Sequence, residues 1–186
     1  MLNWFQKQRL KKAGRSGDLN DTYLAYFNRY DEMAELRQPW KPLSMVVLDT
    51  ETTGLNIEHD RILSIGAVVV ENGQIVLGDS FEVLIHNESI RGEDAIKVHG
   101  IVPTDSQNMG IEESEAIHDF LTYLRESVVV AHHANFDIGI LQQSFKRNIH
   151  PQTVLYNTAI DTAHIARKLE HPNKPSSHID FTQYSL

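Results

Sequence analysis

The stretch from Met45 to Leu55 reads M-V-V-L-D-T-E-T-T-G-L, an apolar run that ends in two carboxylates and a Thr-Thr-Gly turn. Side chains two positions apart in a strand share a face, so Asp49 and Glu51 project together while Thr50 points the other way. Two adjacent acids repel each other unless a divalent cation or a shared proton separates them, and oxygen ligands suit Mg²⁺ or Mn²⁺. The turn leaves backbone N–H groups for a phosphate or a sugar. The stretch therefore predicts a metal site at a strand end, although such a pair alone is as often a solvated edge.

Around this strand the apolar pattern alternates between strands and helices. Strands are predicted at residues 45–50, 62–70, 74–85, 127–131 and 153–160, and helices at 112–125, 136–147 and 162–169. Between the second and third strands, Glu71-Asn-Gly73 is a hairpin signal. Three successive strands followed by strand-helix units indicate an α/β domain with a mixed sheet flanked by helices.

A helical extension is predicted at residues 1–41, followed by a domain at residues 42–186. A basic run is followed by a break at Gly17, and Asn20 or Asp21 can cap a second helix. Apolar side chains of this second helix recur at helical spacing: Tyr23, Tyr26, Phe27, Tyr30, Met33 and Ala34. We expect this stripe to pack on the domain that follows. A basic arm that contacts nucleic acid or a partner protein is the alternative.

Composition excludes several classes of protein. The 186 residues contain no cysteine, which rules out disulfides, thiolate metal sites and a cysteine nucleophile, and which fits a reducing cytoplasm. No apolar run is long enough to cross a bilayer, so no membrane association is predicted. The formal net charge of −8 argues against a broad basic surface for nucleic acid, but not against an enzyme that grips one strand end. Charge is uneven, with +3 in residues 1–41 and −11 in the remainder.

A second stretch, from Val128 to Asp137, reads V-V-V-A-H-H-A-N-F-D and predicts a strand, a turn and a helix that opens with an acid. Alone, Asp137 is a helix-start carboxylate that the helix dipole favours. His132 and His133 would point to opposite sides of a strand, so a metal hydrolase site made from both is disfavoured.

Together the two stretches resemble the first and second motifs of the DEDD superfamily of 3′-5′ exonucleases. The pattern is most similar to its DEDDh members, such as the epsilon proofreading subunits of bacterial DNA polymerase III and RNase T. The family pattern Ala-His-Asn-Ala-x-Phe-Asp matches residues 131–137 except that His133 replaces the Asn, which affects one local hydrogen bond and leaves the carboxylate in place. His99 resembles a family histidine near the bound nucleotide, although alone it is more often a helix-end residue. Asp161 matches a strand-to-helix junction of the family and is expected to cap a helix.

The resemblance implies a ribonuclease H-like fold with a mixed five-stranded sheet. The implied reaction is hydrolysis of the last phosphodiester at a single-stranded 3′ end of DNA or RNA, with release of nucleoside 5′-monophosphates. Two Mg²⁺ or Mn²⁺ ions are implied, with Asp49 bridging both, Glu51 on the water-side ion and Asp137 on the other. A DNA polymerase subunit is the partner class that the resemblance suggests. The residues that it places around the terminal nucleotide are Thr52, Thr53, Gly54, Leu55, His99 and Phe136.

The third family motif, His-x-x-x-x-Asp on a final helix, is not found after Asp161. In the family its His takes the proton from the attacking water, and its Asp completes the water-side ion. The domain at 42–186 is therefore expected to be C-terminally incomplete, and the chain as written to be inactive or nearly so unless the motif lies beyond Leu186 or on another chain. The alternative is a non-catalytic nucleic-acid-binding or polymerase-associated module, against which the three retained carboxylates weigh.

Overall fold

One mixed sheet of five strands organises the fold. The structure is a computed structural model that describes residues 4–36, 44–87 and 110–171. The strands are β1 (Met45–Thr52), β2 (Ile62–Glu71), β3 (Gln74–Leu84), β4 (Val128–Ala131) and β5 (Ala159–Asp161). Their order in the sheet is β3-β2-β1-β4-β5, with antiparallel pairing among β1, β2 and β3 and parallel pairing of β4 with β1 and of β5 with β4. The predicted mixed five-stranded sheet is confirmed.

Five helices accompany the sheet in the described part of the chain: α1 (Trp4–Ser16), α2 (Asp21–Leu36), α3 (Glu113–Leu124), α4 (Ala134–Asn148) and α5 (Thr162–Glu170). The first two are the predicted N-terminal helices, separated by a break at Gly17, whose φ is +78°. Asn20 caps α2, because its Oδ1 accepts a hydrogen bond from the Tyr23 amide at 2.8 Å. None of the described helices is both long and apolar enough to cross a membrane.

The aromatic stripe of α2 packs on the domain, as expected. Tyr23, Tyr26 and Phe27 belong to the buried cluster that also contains the apolar side chains of α3, α4 and one face of the sheet. Burial raises the pKa of Tyr23 to about 12. Met33 and Ala34, the last two members of the stripe, lie outside the described side chains. The described part of the extension thus contributes side chains to the hydrophobic core.

The segment at residues 153–158 is irregular, so the longer strand predicted there is wrong over most of its length. Side chains satisfy backbone groups that a strand would pair with a neighbour. The Tyr23 hydroxyl donates to Val154 O at 3.0 Å and accepts from the Val154 amide at 2.7 Å. Gln142 of α4 accepts from the Leu155 amide at 2.9 Å. Because these bonds replace a ladder, only residues 159–161 of the predicted strand pair with β4.

The predicted hairpin joins β2 and β3. Asn72 (φ +51°) and Gly73 (φ +76°) both adopt the left-handed conformation, which gives the two-residue turn that matches strand twist. Further along, the pairing register shifts between Val68 and Val69 of β2, and residues 77–79 of β3 bulge out of the ladder.

Candidate active site

Asp49 and Glu51 lie on one face of β1, as their spacing predicts. The residues that alternate with them are buried against the helices, whereas Asp49 is exposed and Glu51 is half-exposed. Gly66 and Ser64 of β2 pair with the two acids, and together they line a groove of about 580 Å³ across β1, β2 and β3. Because Gly66 carries no side chain and no atom of the described residues lies within 4 Å of where its Cβ would be, these residues leave the space beside Asp49 open.

Asp137 lies in the first turn of α4 and is 3% exposed. Its Oδ1 accepts a hydrogen bond from the Thr50 hydroxyl at 2.7 Å. Burial raises the pKa of this carboxyl to about 6, the Thr50 hydrogen bond lowers it, and the charge of Asp49 raises it. The Thr50 hydrogen bond holds this carboxyl, far away in the sequence, against the strand that carries Asp49. Thr50 points away from Asp49 and Glu51, as predicted, and on that side it holds Asp137.

The turn between β4 and α4 carries the departure from the family pattern. His133 has φ +57° and ψ +45°, in the left-handed region, and its side chain makes no capping hydrogen bond to α4. Its amide donates to Asp161 Oδ1 at 3.1 Å, and His132 Nδ1 lies 2.9 Å from Thr162 Oγ1. Asn tolerates the left-handed conformation and caps helices well, so the affected hydrogen bond is the cap of α4.

Asp161 joins this turn to α5. Its side chain accepts hydrogen bonds from the Ala163 and His164 amides, which makes it the N-cap of the helix. The predicted helix cap is confirmed. Since the same carboxylate also accepts from the His133 amide, it ties together the ends of the parallel strands β4 and β5.

The turn after β1 uses its threonine hydroxyls internally. Thr52 is buried and donates to Gly54 O at 2.7 Å, and Thr53 donates to Asp60 Oδ1 at 2.7 Å. Leu55, in contrast, is 87% exposed. The contacts that this turn can offer a ligand therefore come from its backbone and from the Leu55 side chain.

The loop that follows this turn docks on the helix that carries Asp137. A Cβ built on Gly139 of α4 would come 2.9 Å from the Ile57 side chain. Glycine inside a helix costs about 1 kcal/mol relative to alanine, so the close approach of Ile57 explains its presence. Phe136, also in the first turn of α4, is half-buried, and His99 lies outside the described residues.

Three residues that the sequence patterns did not single out shape this site: Thr50 through its bond to Asp137, Asp60 and Gly139. Gly139 carried a readable signal, because an isolated glycine in a predicted helix often marks a close approach. Thr50 and Asp60 carried none, since the fold alone decides what they contact.

The described residues contain no group of three or more His, Asp or Glu side chains arranged to hold a metal ion. Asp137 contacts the strand that carries Asp49 and Glu51, but the three acids do not converge into one ligand cluster. All the donors are carboxylate oxygen atoms, which are the ligands that a hard divalent cation prefers. The donor chemistry therefore fits Mg²⁺ or Mn²⁺.

Comparison with known sequences identifies relatives. The sequence profile of the RNase T exonuclease family matches residues 46–185. The DNA polymerase III subunit epsilon of Escherichia coli strain K12 is 35% identical over 143 residues, which cover 71% of this chain and 56% of that protein. The DNA polymerase III PolC-type protein of Oceanobacillus iheyensis is 35% identical over 126 residues, 68% of this chain and 8% of that protein. The chain thus spans about half the length of the epsilon subunits and a small part of the PolC-type proteins.

Solved structures show the same fold. Exonuclease I in its apo form superposes with a TM-score of 0.62 at 16% identity, over 72% of this chain and 32% of that one. Exonuclease I of E. coli in complex with a dT13 oligonucleotide gives a TM-score of 0.61 at 16% identity, over 70% of this chain and 30% of that one.

Proposed function

The chain belongs to the DEDD superfamily of 3′-5′ exonucleases, and we propose on that basis that it removes nucleotides from the 3′ end of a single strand by metal-dependent hydrolysis. The observation that carries the proposal is the 2.7 Å hydrogen bond from Thr50 of β1 to Asp137 of α4, which fixes Asp137 against the strand whose Asp49 and Glu51 line the groove. The expected products are nucleoside 5′-monophosphates, from DNA or RNA.

Asp49, Glu51 and Asp137 are the residues that would hold the metal. Asp49 and Glu51 face the groove, and the Thr50 hydroxyl orients Asp137 and favours its charged form. Two Mg²⁺ or Mn²⁺ ions, when bound, would activate a water molecule and stabilise the leaving 3′ oxygen. Binding requires Asp137 to lose its proton, so metal affinity should rise with pH through about 6.

The turn after β1 would receive the terminal nucleotide. Its backbone around Gly54 suits phosphate or sugar, and the exposed Leu55 side chain can wedge against the terminal base. Thr52 and Thr53 would act by shaping this turn, because their hydroxyls bond within it or to its flanking loop. Phe136 would line the pocket from α4, and the role of His99 stays a prediction.

Turnover by the 186 residues alone should be slow, because they supply no His-x-x-x-x-Asp after Asp161. General-base assistance is typically worth ~10²–10⁴-fold in rate.

A second candidate function follows from the same gap: a nucleic-acid-binding module that keeps the fold without the chemistry. Since the epsilon and PolC-type relatives are DNA polymerase III proteins, a polymerase subunit is the proposed partner in either case, and the cytoplasm the proposed location.

Nucleotide release from a 5′-labelled single strand tests the proposal. We expect slow release, one nucleotide at a time, that needs Mg²⁺ or Mn²⁺ and is lost in Asp49→Asn and Asp137→Asn. Asp119→Asn is the matched control, since Asp119 is an exposed acid on α3. Strand binding without any release in either metal would favour the binding module, and release that the two site variants retain would contradict the proposed site.

A further inference from the structure

We infer that Asp60 is a positioning residue for the substrate: it holds the turn at residues 53–56 so that Gly54 and Leu55 can meet the 3′-terminal nucleotide. This role rests on the proposed function. Asp60 lies outside the stretch of sequence that carries the acids, and nothing in its local pattern marks it.

The Asp60 carboxylate joins the two ends of the turn. Oδ1 accepts from the Thr53 hydroxyl at 2.7 Å, and Oδ2 accepts from the Asn56 amide at 2.7 Å. The Thr53 hydroxyl in turn accepts from the Arg61 amide at 3.0 Å. These hydrogen bonds lower the pKa of the Asp60 carboxyl, which keeps it charged and therefore a strong acceptor at both oxygens.

Gly54 is a glycine because of this carboxylate. Its φ is not in the left-handed region, so the backbone does not require glycine there. A Cβ at Gly54 would instead come 2.7 Å from Asp60 Oδ2 and 3.1 Å from Asp60 Cγ. The carboxylate could move aside only by giving up its bonds to Thr53 and Asn56, so the residue at 54 and the acid at 60 act as a pair.

The same loop is fixed from the other side by α4. Ile57 packs on Gly139, two residues beyond Asp137 along the helix. Asp60 bonds to both ends of the turn, and Ile57 packs the following loop against α4. Together these contacts fix the position of the exposed Leu55 relative to Asp137. A positioning role for Asp60 follows from that rigidity.

The negative charge of Asp60 and its positioning role predict opposite effects on substrate binding when the residue is replaced. An acid close to a bound phosphodiester repels it, so removing the Asp60 charge would tighten binding if charge were its only effect. If Asp60 positions the turn, its removal must weaken binding at the strand end. Asn at this position offers one acceptor oxygen in place of two, so Asp60→Asn loses one of the two bonds.

The experiment measures the affinity of the whole 186-residue chain for internally labelled oligothymidylate by fluorescence anisotropy in Mg²⁺, with linear and circular strands of equal length. The wild type should prefer the linear strand, which has a 3′ end. Asp60→Asn and Asp60→Ala should bind the linear strand about tenfold more weakly and the circle no more weakly. Glu58→Gln, an exposed acid in the same loop, is the charge control and should bind both strands as tightly as the wild type or more so.

A double-mutant cycle tests the pairing with Gly54. Gly54→Ala should cost about tenfold in linear-strand affinity in the wild type but much less in the Asp60→Ala background, where the clashing oxygen is gone. The melting temperatures of the variants should be nearly those of the wild type. A loss of linear-strand affinity that merely follows a fall in melting temperature would contradict the positioning role. An unchanged linear preference in Asp60→Asn would overturn this role alone. A wild type that binds neither strand would overturn the proposed function and the role with it.

Discussion

Thr50 and Asp137 meet on the covered side of the sheet, where the Thr50 hydroxyl donates a 2.7 Å hydrogen bond to Asp137 Oδ1. The contact links the residue between the two strand acids to the first turn of α4. It is the structural means by which one strand and one distant helix come to share a site.

Asp137→Asn should stabilise the metal-free protein near neutral pH. The folded pKa of about 6 lies above the ordinary aspartate pKa of 3.8, so the folded state holds the proton more tightly and wild-type stability falls as pH rises between these values. At about pH 7 the ionised, buried carboxyl costs about 1–3 kcal/mol that an amide avoids. Urea unfolding at several pH values checks this, and the variant's advantage should vanish below about pH 4.

Added Mg²⁺ should reverse the order of stability of the wild type and Asp137→Asn. The wild type should gain melting temperature with added Mg²⁺ because the ion favours the ionised Asp137, whereas Asp137→Asn should gain less. Equal gains in both proteins would show that this carboxyl does not hold the metal.

Thr50→Val should raise the pKa of Asp137 further, because the hydroxyl that lowers it is lost. Stability at neutral pH should fall by about 1–3 kcal/mol, and the midpoint of Mg²⁺-dependent stabilisation should move to higher pH. Thr50→Ser keeps the donor and should behave like the wild type. If the Val and Ser variants give the same pH midpoint, the hydroxyl does not control this carboxyl.

His133→Asn should stabilise the chain by about 0.5–1 kcal/mol, since Asn accepts the left-handed conformation and can cap α4. His133→Ala offers no cap and should not gain. Denaturant midpoints of the three proteins provide the comparison, and an Asn variant no more stable than the Ala variant would argue against the cap.

Tyr26→Phe should destabilise the whole domain by about 1–3 kcal/mol, because it leaves buried polar groups unpaired. The Tyr26 hydroxyl donates to Asn157 Oδ1 at 2.7 Å and accepts from the Tyr156 amide at 2.6 Å. Tyr30→Phe is the control, since the Tyr30 hydroxyl lies 3.5 Å from Arg125 O, and should change stability by less than about 0.5 kcal/mol. Calorimetry should show one transition that includes the N-terminal helices, and a separate early transition would contradict their place in the core.

Local patterns were sufficient to predict most of the fold. Alternation of buried and exposed residues along β1, the Asn-Gly hairpin and the helical spacing of α2 depend on near neighbours in the chain, so the sequence reveals them. The strand predicted at 153–160 was mostly wrong because its hydrogen-bond partners, Tyr23 and Gln142, come from remote helices.

The candidate site, like the fold, was only partly predictable from the sequence. The shared face of Asp49 and Glu51 follows from a period of two residues. Two other contacts depend on how strand, loop and helix are assembled: the hydrogen bond between Thr50 and Asp137, and the close approach of the Asp60 carboxylate to Gly54. No short-range pattern encodes them.

The bulge at residues 77–79 lies on a strand at the border of the described sheet. β3 lies at the border of the sheet and is its longest strand, with Leu77 83% exposed. A long, flat border strand with apolar side chains is a template on which a second copy could add its own strand and begin to aggregate. By breaking the run of evenly spaced N–H and C=O groups, the bulge makes this border a poorer template for a strand of a second copy.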